Sequence, residues 1–137
     1  MDHHKQTTLF SVINAGNALE EKLSGELERI GLSMAKYGAL CTLAAAEEPL
    51  PLSVCARQMT CVKSNITQLM DRLEKDELIE RIPDPKDRRS VRAKITEKGA
   101  QLQKTGDEIC ALLEAELAQT LSAIDHKSFR ETLHKIQ

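Results

Sequence analysis

The segment DPKDRRSVRAKIT, residues 84–96, places the strongest constraint on how this chain can fold. It opens with Asp and Pro, which favour a turn. It continues with alternating polar and apolar residues, which is the period of a β-strand. The residues just before it, IERI at 79–82, read as a partner strand, so the sequence predicts a β-hairpin with strands at 79–82 and 91–95. Five cations lie within nine positions of this hairpin: Lys86, Arg88, Arg89, Arg92 and Lys94.

The chain before the hairpin has the apolar spacing of helices. The pattern predicts a first helix over 8–30, ended by Gly31, and a second helix with Ser33 as its N-cap. A short helix over LSVCARQM, a turn TCVK and a longer helix SNITQLMDRLEKDEL follow. The last of these carries its apolar residues on one face and polar residues on the other.

Thr96 is the predicted N-cap of a long C-terminal helix, and a shorter helix over about 125–136 completes the chain. The fold class is therefore mainly α with a small β-wing. A length of 137 residues suits one domain. The sequence contains no apolar run long enough for a membrane span and no signal peptide pattern, so we expect a cytoplasmic protein with no membrane partner.

No residue pattern predicts catalysis, a metal site or a cofactor. The chain has no glycine-rich phosphate loop and no Ser/His/Asp arrangement, so we do not expect an enzyme. The four cysteines lack zinc-site spacing, and reduced thiols are expected in the cytosol. We expect Cys55 and Cys61 to be buried and unreactive, because a free cysteine behaves as a small apolar residue. A thiol-based redox switch stays open as an alternative.

Charge is distributed unevenly along the chain, whose formal net charge is −2. Residues 57–98 carry 11 Lys and Arg against 8 Asp and Glu, whereas each flanking region has an excess of acids. A basic middle between acidic ends indicates that the middle contacts a polyanion.

A short helix, a tight turn, a second helix and a hairpin follow one another in the order of a winged helix-turn-helix. Such modules place the second helix in the DNA major groove. Its polar residues can contact bases and phosphates, and an arginine-tipped turn can enter the minor groove. The predicted DNA contacts are Lys63, Ser64, Asn65, Thr67, Gln68 and Arg72 in the helix, and Lys86, Asp87, Arg88 and Arg89 in the wing.

The segment LMDRLEKDELIERIPDPKDRRSVRAKITEKG, residues 69–99, resembles the multiple-antibiotic-resistance regulator (MarR) family of winged-helix repressors. The resemblance implies a homodimer that binds a pseudopalindromic DNA operator and releases it when a small ligand or an oxidant acts. It implies that Arg89 enters the minor groove and that Asp87 orients the wing. Where the family has glycine after the second helix, this chain has Glu77, which we expect either to adopt a left-handed conformation or to end the helix differently.

The resemblance also divides the chain into a helical dimerisation region, residues 1–31 and 100–137, and a DNA-binding region, residues 32–99. Apolar side chains of the terminal helices are the predicted dimer contacts: Leu9, Val12, Ile13, Leu117, Leu121, Phe129 and Leu133. A cleft for a small-molecule effector is expected near Met34 and Tyr37. The alternative from another class is a winged-helix module whose cationic wing binds an acidic protein.

Overall fold

The structure is a computed structural model that describes residues 7–59 and 65–137. In those ranges the elements are α1 (Thr8–Glu28), α2 (Met34–Ala45), β1 (Leu50–Pro51), α3 (Leu52–Gln58), α4 (Ile66–Lys75), β2 (Ile79–Pro83), β3 (Val91–Ile95), α5 (Glu97–Thr120) and α6 (His126–His134). The predicted fold class, mainly helical with a small β-wing, is confirmed.

Three antiparallel strands form the sheet in the order β1-β3-β2. The predicted hairpin is present, with Arg81 opposite Ala93 and Pro83 opposite Val91. The sequence did not predict β1, which pairs Leu50 with Ala93. A strand of two residues that includes a proline lacks the alternating pattern on which strand prediction depends.

The core lies where α2, α3 and α4 pack against the sheet and the end of α1. Its buried residues are Leu27, Leu32, Ala39, Leu40, Leu43, Cys55, Met59, Leu69, Met70, Leu73, Leu78, Ile79 and Ala93. In α5 the buried residues are two glycines, and α6 has none. The winged region therefore has a core of its own, whereas the terminal helices expose apolar surface.

Helix α4 is shorter than the predicted helix over residues 64–78. It begins after Asn65, whose side-chain oxygen accepts hydrogen bonds from the backbone N–H groups of Thr67 and Gln68, at 3.0 and 3.4 Å. This is an N-cap, which satisfies N–H groups that have no partner inside the helix. The helix ends at Lys75 because Glu77 has a positive φ of 61°.

Of the two alternatives for Glu77, the structure shows the left-handed conformation, and it completes a Schellman motif. Leu78 N–H donates to the Leu73 carbonyl and Glu77 N–H to the Glu74 carbonyl, both at 2.9 Å. The side chains of Leu73 and Leu78 are buried beside this turn, as is common for the motif. The turn thereby directs the chain from α4 into β2.

Helix α1 ends in the same way, with glycine at the left-handed position. Gly31 has φ 81°, and Leu32 N–H donates to the Leu27 carbonyl at 3.0 Å. The residue with positive φ is glycine in the turn after α1 and glutamate in the turn after α4. A positive φ is unfavourable for glutamate but not for glycine.

Gly99 allows the first turn of α5 to approach the end of α4. A methyl group there would overlap the carbonyl oxygen of Leu78. That oxygen accepts a hydrogen bond from Thr96 N–H at 3.0 Å, and Thr96 caps α5 through Gly99 N–H, also at 3.0 Å. The glycine of the TEKG sequence therefore permits close packing of backbone on backbone.

We expect Glu77→Gly to raise the free energy of unfolding by roughly 0.5–1 kcal/mol, because it removes the strain of positive φ. Glu77 has an exposed side chain and its nearest ion pair, with Lys98, spans 3.9 Å, so little else is lost. Chemical denaturation measures the change. The matched variant is Gly31→Ala, which introduces strain where a methyl group meets no atom within 4 Å. It should lower stability by about 1 kcal/mol, and a loss of stability in Glu77→Gly would contradict this account.

Candidate nucleic-acid interface

One face of α4 packs into the core and the other is exposed. Leu69, Met70 and Leu73 are buried, which confirms the predicted apolar stripe. Three of the predicted DNA contacts, Thr67, Gln68 and Arg72, lie on the exposed face. Asn65 is also exposed, and its side-chain oxygen is occupied as the cap, which leaves its amide N–H₂ as the free donor. Lys63 and Ser64 lie outside the described residues.

The wing turn is shaped by two aspartates that bind backbone N–H groups two residues ahead. Asp84 accepts from Lys86 N–H and Asp87 accepts from Arg89 N–H, each at 2.9 Å. Such aspartate turns hold the loop without a glycine. Lys86, Arg88 and Arg89 are left exposed. Asp87 thus has a role in shaping the turn, as the resemblance implies, and its charge does not favour direct contact with phosphate.

Arg92 belongs to the same cationic stretch and has a different position. Its guanidinium lies 3.2 Å from Asp84, with the two side chains 19% and 10% exposed, and it donates to the Pro49 carbonyl at 3.2 Å. The side chain therefore ties the wing to the loop before β1. Lys86 N–H lowers the pKa of Asp84 by its hydrogen bond, and Arg92 acts in the same direction.

The C-terminal end of α4 is held by residues that the sequence reading did not single out. Lys36 of α2 binds the Asp76 carboxylate at 2.6 Å, and this hydrogen bond lowers the pKa of Asp76. Lys98 of α5 donates to the Asp76 carbonyl at 3.0 Å, and Thr96 donates its hydroxyl to the Glu77 carbonyl at 2.7 Å. Helix α4 is thereby joined to both α2 and α5.

Apolar residues of the terminal helices are uncovered in the single chain. Of the predicted dimer contacts, Leu9, Val12 and Ile13 are exposed, and Leu117, Leu121, Phe129 and Leu133 are half-buried. The structure adds exposed apolar residues that were not among the predicted dimer contacts: Leu19, Leu112, Ile124 and Ile136. An ion pair between Lys22 and Glu116 joins α1 to α5.

Tyr37, near which an effector cleft was expected, packs closely against α5. Its hydroxyl donates to Asp107 at 2.5 Å, and its ring lies against the backbone at Gly106. Burial raises the pKa of Tyr37 well above its ordinary value, with the bond to Asp107 acting in the same direction. Two shallow hollows on the described surface lie elsewhere, one beside Leu50 and one beside Ile79. The expected cleft thus stays a prediction.

Burial raises the pKa of Cys55, which lies in the core as expected. Cys61 lies outside the described residues.

Over residues 7–59 and 65–137, no cluster of three or more His, Cys, Asp or Glu residues could hold a metal ion. In the same part of the chain, no helix is both long and apolar enough to span a membrane.

A three-helix core, a recognition helix with one exposed polar face and a three-stranded wing with an exposed basic turn together define a winged helix-turn-helix protein. The MarR family model matches residues 32–91, which include α2, α3, α4, β2 and the wing turn. The winged-helix region of this chain therefore belongs to the MarR family, and the resemblance inferred from residues 69–99 is confirmed.

Solved structures extend the likeness over nearly the whole chain. The transcriptional repressor CouR bound to a 23-mer DNA duplex has a TM-score of 0.84 at 21% identity, covering 99% of this chain and 96% of that one. A mutant of E. coli MarR complexed with operator DNA has a TM-score of 0.80 at 21% identity, with 99% of each chain covered. The S. aureus MepR–DNA complex has a TM-score of 0.78 at 19% identity, covering 95% and 93%. Among curated protein sequences, none matches this chain significantly.

We expect the Asp84–Arg92 pair to make wing stability depend on pH. Because the pKa of Asp84 is lowered in the folded state, its contribution is present above the unfolded value of about 3.9 and is lost as the pH falls through the folded value. Asp84→Asn should therefore lower the free energy of unfolding at pH 7, and the difference from wild type should shrink below about pH 4. Chemical denaturation between pH 3 and 7 measures it. Glu47→Gln, which removes an exposed carboxylate elsewhere, is the control and should show no such difference.

Proposed function

We propose that this protein is a sequence-specific transcriptional regulator that binds double-stranded DNA as a homodimer and acts as a repressor. The observation that carries the proposal is the pairing of two exposed elements on one rigid core. Helix α4 presents Thr67, Gln68 and Arg72, and the wing turn presents Lys86, Arg88 and Arg89. A helix of this kind suits the major groove, and a basic turn suits the adjacent minor groove.

The likeness to solved repressor–DNA complexes supports the proposal. CouR, a MarR mutant and MepR each have a solved structure bound to DNA, and this chain has their fold. In the proposed complex, the amide of Asn65, Thr67 and Gln68 contact base edges, and Arg72 contacts the phosphate backbone. Arg89 enters the minor groove, with Lys86 and Arg88 at the flanking phosphates, since guanidinium groups are favoured in a narrow minor groove. Lys63 and Ser64 are proposed as further contacts.

Exposed apolar residues on α1 and α5, together with Ile124 and Ile136 on either side of α6, support the homodimer. Leu9 and Leu112 are 65% and 69% exposed in the single chain, and the residues that the structure describes do not cover the faces to which they belong. Burial of such faces between two copies of a chain drives association. A two-fold dimer would bind a pseudopalindromic operator, because each copy would read one half-site.

Three parts of the proposal rest on the family resemblance. They are release from the operator by a small-molecule effector, action in the cytoplasm and the absence of an enzymatic activity. CouR, whose fold this chain shares, is a transcriptional repressor, and we place the effector between the winged region and the terminal helices, near Met34 and Tyr37.

We expect the wild-type protein to scatter light as a dimer, with twice the 15.3 kDa mass of the chain. Val12→Glu places a charge on the exposed apolar face of α1 and should shift micromolar protein toward monomer, because burying an unpaired charge is costly. Asn14→Glu, on the opposite side of the same helix, is the matched control and should leave the dimer intact. A wild-type monomer at micromolar concentration would contradict the dimer.

Half-site centres in the operator should lie about 10 bp apart.

Arg89→Ala should weaken operator binding by about 1–3 kcal/mol, as expected for a specific groove contact. Lys86→Ala, which also removes an exposed cation from the wing, should weaken binding to operator and random DNA alike and lower the salt slope by about one unit. Gel shifts at several salt concentrations distinguish the two. If Arg89→Ala leaves binding to both DNAs unchanged, the wing does not read the minor groove.

A further inference from the structure

Arg81, in the middle of β2, makes contacts that neither the sequence pattern nor the proposed DNA contacts explain. Its Nη2 atom lies 3.3 Å from the Thr67 carbonyl oxygen and 2.5 Å from the Asp71 carboxylate. Its backbone N–H donates to the Glu74 carboxylate at 3.2 Å. One residue of the wing sheet is therefore bonded to three residues of the recognition helix.

The three partners lie along one side of α4. Residues 67, 71 and 74 follow the i, i+4, i+7 spacing that places side chains on a single stripe. Thr67, at one end of this stripe, also belongs to the exposed face of α4 that carries Gln68. Strand β2 continues from Arg81 to Pro83 and leads directly into the wing turn. Arg81 therefore lies between the two elements proposed to contact DNA. It is bonded to α4, and it belongs to the strand that leads into the wing turn.

We propose that Arg81 is a positioning residue for DNA recognition, which sets the spacing and angle between α4 and the wing. The inference rests on the proposed function. A winged-helix protein has to place its helix and its wing in neighbouring grooves at the same time. A side chain that holds these two elements together before binding lowers the conformational cost of binding the correct site. Arg81 acts through α4 and does not itself contact DNA, because its charge is paired with Asp71.

A purely stabilising role does not account for this arrangement. The Arg81 side chain is 25% exposed and its partner Asp71 is 58% exposed, and ion pairs with one partner in water contribute little to stability. The buried Nε atom of Arg81 finds no acceptor among the described residues, which is unfavourable for stability. The consistent effect of the Arg81 contacts is therefore to hold β2 in place beside the recognition helix.

Whether one substitution raises or lowers DNA affinity distinguishes a positioning role from a general effect of charge. Asp71→Asn removes a negative charge from α4, beside the proposed DNA surface. If long-range charge were the main effect, DNA affinity would rise. If Asp71 holds Arg81 in place, operator affinity falls although the protein becomes less negative. The matched control is Glu80→Gln, which removes an exposed carboxylate from the residue next to Arg81, and its affinity should rise slightly or stay unchanged.

The experiment uses DNA that the wild-type dimer selects from a random pool, so that no operator needs to be known beforehand. We expect Asp71→Asn and Arg81→Met each to lower affinity for the selected DNA by about 3- to 30-fold, with a much smaller change for random DNA. The double variant should lose little more than the weaker-binding single variant, because both remove the same contact. Arg81→Lys should restore affinity in part, since lysine keeps the charge and loses the second hydrogen bond.

Salt dependence provides the second measurement. A positioning role predicts that Arg81→Met keeps the wild-type salt slope, whereas loss of a phosphate contact would lower the slope by about one unit. Thermal unfolding of each variant checks that the fold is intact, and Asp71→Asn tests the inference on its own if Arg81→Met does not fold. Equal gains in affinity for Asp71→Asn and Glu80→Gln, or a lowered slope in Arg81→Met, would overturn the positioning role while DNA binding by the wild type stands. A wild-type protein that selects no DNA would overturn the proposed function itself and the inference with it.

Discussion

The packing of one apolar stripe of α4 is the interaction on which the rest of this structure depends. Leu69, Met70 and Leu73 are buried against the sheet and α2, and this burial determines which face of the helix points outward. Because the stripe is narrow, six of the other seven residues of this ten-residue helix are polar and exposed, and the seventh, Ile66, is half-buried. The same hydrophobic burial that stabilises the winged region therefore creates its candidate surface for nucleic acid.

Electrostatic contacts then determine how this helix is oriented. Its N-terminal half is bonded to Arg81 of the wing sheet, and its C-terminal end to Lys36 of α2 and Lys98 of α5. Each of these cations is neutralised or bonded within the protein. The exposed cations Lys86, Arg88 and Arg89 lie together in the wing turn. A chain with net negative charge thus keeps a local excess of positive charge at the surface that would meet a polyanion.

The connection from α4 to α5 joins the winged region to the helices proposed for dimerisation. Leu78 and Gly99 bring the two helices together by backbone contacts that tolerate no added methyl group, and Thr96 both caps α5 and bonds to Glu77. These contacts and the bond from Lys98 to Asp76 fix the start of α5 beside the end of the recognition helix.

The sequence by itself determined the helices, the hairpin and most of the exposed basic residues of the wing. Apolar periodicity, N-caps such as Ser33 and Thr96, and turn residues such as Asp84 act over a few positions and can be read locally. It also showed that the helix end at Glu77 lacks its usual glycine, and the structure decided between the two conformations open to that residue. What only the tertiary structure decided is which polar residues are free. Arg92 and Arg81 look like the other cations in sequence, and they are bonded inside the protein by Asp84, Pro49 and Asp71. Those partners lie 8 to 43 residues away, so their pairing depends on how the sheet packs against α4 and the loop before β1, which no local pattern specifies.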